Sequence, residues 1–144
     1  MNLQECKKRG LVKEVTADDS LISSLLKTSN NRFESAKRLE LDKITASTKV
    51  SNYYDSSREL LEALAIKLGF KIYNHECYVC FLNEKCNDSL LSEEFNKFRI
   101  IRNQINYRGE DVNIEEAKVL IEDLINLRNK ILNKFNEVKI WNTT

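Results

Sequence analysis

The sequence predicts an all-α fold, an antiparallel bundle of about five helices. Two observations carry this prediction. The 144 residues include no proline and only three glycines, so helix breakers and the turn residues of β-rich folds are scarce. Apolar residues also recur at spacings of three and four, which is the period of an amphipathic helix. We expect one domain over residues 1–144, because a chain of this length can bury a core.

The first two long helices are predicted from their ends and their apolar stripes. Residues 1–16 are a short lead-in, which the sequence leaves open as a frayed or a docked helix. Asp18 or Asp19 is expected to be the N-cap of a helix that continues to about 41. A second helix covers about 45–68, and Gly69 is well placed to end it.

Three further helices follow with short connections. We expect them over about 75–85, from Ser89 or Ser92 to about 109, and over about 113–138. Asn113 opens a capping box, which favours a helix start there. The last helix has a regular apolar seam that only Arg128 interrupts.

Charge and cysteine usage limit the possible functions. The formal net charge is +1, so any contact with nucleic acid must come from a local patch. The sequence has neither an apolar run of membrane-spanning length nor a signal peptide, so we expect a cytoplasmic protein without a membrane partner. In that reducing compartment we expect free thiols at all four cysteines, Cys6, Cys77, Cys80 and Cys86.

The segment 95–109 carries the clearest functional signal. It contains no acidic residue, and Arg102 projects from the edge of its apolar side, which Phe98, Ile101 and Ile105 define with Phe95 at the margin. A buried arginine needs a partner, either a carboxylate or a bound anion such as phosphate. One interpretation is a solvated basic helix with one internal ion pair; the other is an RNA-binding face. We expect Asp55 or Glu59 of the second helix to hold Arg102.

The run IRNQINYRGEDVNIEEAK, preceded by EFNKFR, resembles the last two helices of HEPN domains, particularly small archaeal ones. The segment NYYDSSRELLEALAIKLGFK resembles an earlier helix of that superfamily, so the resemblance covers roughly 18–138. It implies a helical bundle that dimerises and often carries an Arg-Asn-x-x-x-His motif. Many members are metal-independent ribonucleases, and others partner minimal nucleotidyltransferases in toxin–antitoxin pairs.

The resemblance places Arg102 and Asn103 on the motif, with Tyr107 at the histidine position. It therefore implies catalytic roles for these three residues without a cofactor or metal. Tyrosine has a pKa of about 10, so it is a poor proton acceptor near neutral pH. Active ribonuclease, RNA-binding protein and nucleotidyltransferase partner thus remain alternatives. Three neighbouring side chains are expected to contact RNA, namely Arg99, Asn106 and Arg108.

His75, the one histidine, lies close to Cys77, Cys80 and Cys86. These four residues could ligate zinc, but their spacing along one helix separates them, and we expect no metal site. His75 could instead cap its helix, or face the cleft and substitute for the missing motif histidine.

Overall fold

The computed structural model describes residues 1–109 and 111–138, apart from the side chains of Tyr107 and Arg108. The described chain is mostly helical, which confirms the all-α prediction. Five long helices lie close to their predicted bounds, and a short helix and two short strands are added. The elements are α1 (Leu3–Lys8), β1 (Val12–Glu14), α2 (Asp19–Arg38), α3 (Ala46–Lys67), β2 (Phe70–Ile72), α4 (His75–Glu84), α5 (Ser89–Arg108) and α6 (Ile114–Glu137).

Side-chain caps fix where the helices begin. The Asp18 carboxylate accepts from the backbone N–H of Leu21 at 3.1 Å, and the predicted cap of α2 is therefore confirmed. The Asn113 side chain accepts from the N–H of Glu116 at 2.8 Å and donates to its carboxylate at 3.0 Å. This pair satisfies an otherwise unpaired donor in the first turn of α6.

Helix α3 is the central element of the bundle. Its buried face contacts both α2 and α6. Ser29 and Ser56 each donate a hydroxyl hydrogen bond to the other's backbone carbonyl, at 2.7 and 2.8 Å, which holds α2 and α3 close together. Near the end of α3, Lys67 donates to the carbonyl of Phe135 at 2.7 Å and thereby caps α6.

These contacts also give the helix directions. Residues late in α2 meet residues early in α3, as the edge-to-face pair of Phe33 and Tyr53 shows, so these consecutive helices run antiparallel. Near the start of α3, Ser47 accepts from the N–H of Val112, just before α6, and near its end Lys67 contacts Phe135, near the end of α6. Helices α3 and α6, which are not consecutive, therefore run parallel. The bundle therefore places α2 and α6 on either side of α3, with α4 and α5 across its remaining face.

The lead-in is docked, a point that the sequence left open. Strands β1 and β2 pair antiparallel, with Val12 opposite Ile72 and Glu14 opposite Phe70. This two-stranded ribbon was not predicted, because three residues per strand give too short an alternation to recognise. Helix α1 packs on α4 through Leu3, which is buried and whose backbone N–H donates to Glu84 at 2.8 Å.

One continuous core cluster joins these elements. Phe95, expected at the edge of the apolar side of α5, is fully buried in this cluster. Ile101 and Ile105 are only partly buried, because α6 leaves that part of α5 open. Among the described helices, none combines the length and the apolar character required to cross a bilayer.

Candidate functional site

Tyr54 of α3 is the centre of a polar cluster where α3, α4 and α5 meet. Its ring is 1% exposed and stacks on Phe95 of α5, with centroids 5.6 Å apart and planes 17° apart. Its hydroxyl lies 3.2 Å from Nδ1 of His75, the first residue of α4. Burial raises the pKa of Tyr54, with Arg102 the largest opposing influence, so the phenol stays protonated at neutral pH. The phenol thus links the three helices through hydrogen bonding and stacking.

Arg102 reaches this cluster from α5. Its guanidinium carbon lies 5.9 Å from the Tyr54 ring centroid, and its Nη2 pairs with Asp55 Oδ1 at 3.4 Å. With the amide oxygen of Asn106 turned toward it, Arg102 also donates from Nε at 2.9 Å and from Nη1 at 3.0 Å. The side chain keeps 19% of its surface exposed. Arg102 is therefore a fixed positive charge near the surface, held by one carboxylate and one amide.

Asp55 is the carboxylate that holds Arg102, one of the two residues expected to do so. Glu59 instead forms an ion pair with Arg32 of α2, and its other carboxylate oxygen is buried without a hydrogen-bond partner among the described residues. Glu59 lies four positions after Asp55, about one turn further along α3, where Arg32 of α2 is its ion-pair partner. The expected supporting role of Glu59 at Arg102 was wrong.

His75 faces the cluster and does not cap α4. The cap is Asn74, whose side chain accepts from the N–H of Glu76 at 2.8 Å. Burial, followed by the positive charges of Arg58, Arg102 and Arg99, lowers the pKa of His75 to about 4. The imidazole is therefore neutral at pH 7, and its lowered pKa makes it a weaker proton acceptor than an ordinary histidine.

Two more arginines make the cluster positive overall. Arg58 pairs with Glu62 at 3.4 Å along α3, as its i, i+4 spacing predicts. Arg99 donates from Nε at 3.0 Å and from Nη2 at 2.8 Å to the amide oxygen of Asn96, and it has no ion pair with a described carboxylate. Three guanidiniums are thus balanced by two carboxylates, which leaves one positive charge in excess.

The remaining predicted residues lie on the same helix. Asn103 is half-buried and Asn106 is exposed. The backbone of Tyr107 and Arg108 belongs to the last turn of α5, but their side chains lie outside the described residues. Neither Tyr54 nor Arg58 was predicted as a site residue from the sequence. The signal that could have identified them is their position, because the same turn of α3 also carries Asp55.

The cysteines differ from the expectation of four free thiols. Cys6 of α1 and Cys77 of α4 form a disulfide, with Cα atoms 6.2 Å apart. Cys80 and Cys86 are free, and Cys80 donates from Sγ to the backbone carbonyl of Met1 at 3.2 Å. Within 1–109 and 111–138, no three histidine, cysteine or carboxylate side chains are grouped so that they could hold a metal ion.

A groove of about 550 Å³ lies between the C-terminal half of α5 and the start of α6. Its floor is apolar and includes Ile101, Ile105 and Leu120, while Asp111 and Glu115 contribute an acidic rim. Val119, which also lines the groove, is 60% exposed. An apolar surface of this kind is typical of a contact with another protein.

No protein-family model, curated protein or solved structure matches this chain.

Proposed function

We propose that the protein is a HEPN-like RNA-binding protein that contacts RNA phosphates through α5 and the adjoining end of α4. The observation that carries this proposal is the cluster of Arg58, Arg99 and Arg102 around His75, with one positive charge in excess. Guanidinium groups bind phosphate in a directional, bidentate manner. Asn103 and Asn106, further along α5, supply amides that suit the 2′-hydroxyls and base edges of RNA.

Arg102 and Arg99 have different roles in this proposal. Arg102 is fixed by Asp55 and Asn106, so it supplies charge at a preorganised position and needs no rearrangement when RNA binds. Arg99 is held by the neutral amide of Asn96, which an anion can displace more easily than a carboxylate. Arg99 is therefore the first direct phosphate ligand, and Arg102 strengthens the local field.

Cleavage of the bound RNA without a metal ion is the enzymatic form of this proposal. It requires a proton acceptor for the 2′-hydroxyl that attacks the phosphate. His75 is the acceptor that this cluster offers; it is neutral at pH 7 but weakly basic at its pKa of about 4, and the side chain of Tyr107 lies outside the described residues. The resemblance to HEPN ribonucleases places such an activity in a toxin–antitoxin or defence system in the cytoplasm. Disulfides are rare in most cytoplasmic proteins, with hyperthermophilic archaea as an exception, which suits the resemblance to small archaeal members.

The proposal includes a homodimer with α5 near the two-fold axis. The supporting observation is the apolar surface of the groove beside α5, where Val119 is 60% exposed. An isologous contact buries this surface on both copies and places the two arginine clusters in one assembly.

A second candidate function is a non-enzymatic partner of a minimal nucleotidyltransferase. The groove between α5 and α6 favours it, because an apolar floor with an acidic rim fits an amphipathic helix that carries basic residues. In that case the purified chain alone neither binds nor cleaves RNA, and it forms a stable complex with the nucleotidyltransferase.

Incubation with RNA in the presence of a chelator tests the proposal. Structured and single-stranded RNAs are incubated with the wild type, with Arg102→Ala and with Lys130→Ala, which alters a surface ion pair on α6. Binding by the wild type and Lys130→Ala, weakened in Arg102→Ala, supports an RNA-binding protein. Cleavage by the wild type and Lys130→Ala that is weakened in Arg102→Ala identifies a metal-independent ribonuclease. If the folded wild type neither binds nor cleaves RNA, the proposal is wrong and the partner function is favoured.

A further inference from the structure

His75 is the one imidazole of the chain, and charged or polar groups of three helices surround it. From α3, Tyr54 contacts its Nδ1, and Asp55 and Arg58 lie on the same turn. From α5, the charges of Arg99 and Arg102 act on the ring. From α4 itself, Tyr78 contributes an edge-to-face contact with centroids 6.4 Å apart. Guanidinium charges therefore dominate the surroundings of His75.

The hydrogen bond from Tyr54 suits both protonation states of His75. A tyrosine hydroxyl both donates and accepts, so it can donate to a neutral Nδ1 or, after rotation, accept from a protonated one. Because Tyr54 remains a phenol at neutral pH, this contact carries no negative charge that would favour the charged ring. Nε2 of His75 has no hydrogen-bond partner among the described residues and is available to a ligand.

An anion near these arginines would reverse the electrostatic balance. In the free protein, protonation of His75 adds a fourth positive charge to a cluster that already has an excess of one. A bound phosphate group supplies at least one negative charge, which offsets the repulsion and favours the protonated ring. The protonated ring in turn offers a charge-assisted hydrogen bond to the anion.

We propose that the cluster of Arg58, Arg99, Arg102 and His75 is a phosphate-binding site at which His75 takes up one proton from solvent when the anion binds. For RNA as the ligand, this inference rests on the proposed function and adds its coupling to pH. The proton comes from hydronium or buffer, and no covalent bond of the ligand changes. Because the coupling is reciprocal, the anion binds more tightly as the pH falls toward the pKa of the free His75.

The single histidine allows a direct test by proton NMR. The imidazole resonances of wild-type protein are titrated between pH 3.5 and 8, alone, with sulfate, and with a dinucleotide that contains one phosphodiester. The dinucleotide is one of uridine, so that sulfate, the phosphodiester and the bases all keep a constant charge over this range. Backbone spectra at each pH check that the protein is folded. We expect a pKa of about 4 without anion. A saturating anion should raise it by at least about one unit, equivalent to tenfold tighter binding below both pKa values.

Two variants separate this coupling from simple charge attraction. Arg99→Gln should lower the affinity for sulfate and diminish the shift. His75→Gln should still bind sulfate, but without the increase in affinity at low pH. Lys130→Gln, at an ion pair on α6, is the matched control and should titrate like the wild type.

The outcomes also distinguish this inference from the RNA proposal. A raised His75 pKa with sulfate supports the phosphate site even if no RNA binds, which would refute only the proposed function. An unchanged His75 pKa with both anions refutes the site, whether the anions bind elsewhere or not at all. RNA binding with an unchanged pKa would mean that the RNA surface lies away from His75.

Discussion

Reduction of the Cys6–Cys77 disulfide should lower the stability of the protein substantially. The bond joins residues separated by 71 positions, and both cysteines are fully buried. In the chain-entropy model, a cross-link over such a loop contributes about 4 kcal/mol by restricting the unfolded chain. Typical domains have a total stability of about 5–15 kcal/mol, so the bond would account for a large fraction. Reduction would also release α1 from α4, since α1 has only six residues and is otherwise held by few contacts.

Urea denaturation with and without dithiothreitol measures this effect. We expect the reductant to lower the free energy of unfolding of the wild type by about 3–4 kcal/mol. A Cys6→Ala/Cys77→Ala variant should be insensitive to dithiothreitol, whereas Cys86→Ala, which alters a free cysteine, should respond like the wild type. Thiol titration of the unfolded, unreduced protein should detect two thiols of four. Four reactive thiols, or a wild-type midpoint that dithiothreitol does not shift, would contradict a stabilising disulfide between Cys6 and Cys77.

Three further predictions concern the core, pH and a helix cap. Arg128 donates to Ser56 at 2.9 Å and lies over Phe33 without a described carboxylate partner, and the serines keep their mutual bonds without it. The free energy of unfolding of Arg128→Met, measured by urea denaturation, should therefore lie within about 1 kcal/mol of the wild-type value. That of Arg128→Ala should be lower by about 2–3 kcal/mol, because the substitution leaves a cavity. The pKa of His75 is about 4 in the folded state, below the usual histidine value of 6.5 that applies to the unfolded chain. The unfolded chain thus binds the proton first, and stability should fall as the pH decreases from 6.5 toward 4, with a smaller decrease in His75→Gln. Asn113→Ala should lower stability by about 1 kcal/mol, and an unchanged thermal midpoint would contradict the cap.

Much of the fold is predictable because its signals are local. Caps such as Asp18 and Asn113 and the terminating Gly69, whose φ is +89°, act within a few residues, so the sequence indicates them directly. Arg128 shows where local information ends. The sequence identifies it as an interruption of the α6 seam, but its partners Ser29 and Ser56 lie 99 and 72 positions away.

The candidate site was predictable only in part for the same reason. The position of Arg102 on its helix indicates that it needs a partner. The expected helix α3 offers few acidic residues for that role, and Asp55 is one of the two that were predicted. The approach of His75 depends on how α4 packs against α3, which no spacing within α4 indicates. The pairing of Cys6 with Cys77 is equally non-local, and the expectation of free thiols at these two positions was wrong.

The salt dependence of RNA binding tests whether the arginine cluster at His75 binds RNA phosphates. Fluorescence anisotropy of a labelled single-stranded RNA gives Kd for wild type, Arg99→Gln and Lys130→Gln between about 50 and 200 mM salt. We expect log Kd of the wild type to increase linearly with log salt concentration. Arg99→Gln should reduce this slope by about 0.7, the value for one phosphate contact on a single strand, while Lys130→Gln should leave it unchanged. A slope that is the same in all three proteins, or no binding by the wild type at 50 mM salt, would contradict an RNA-binding site at this cluster.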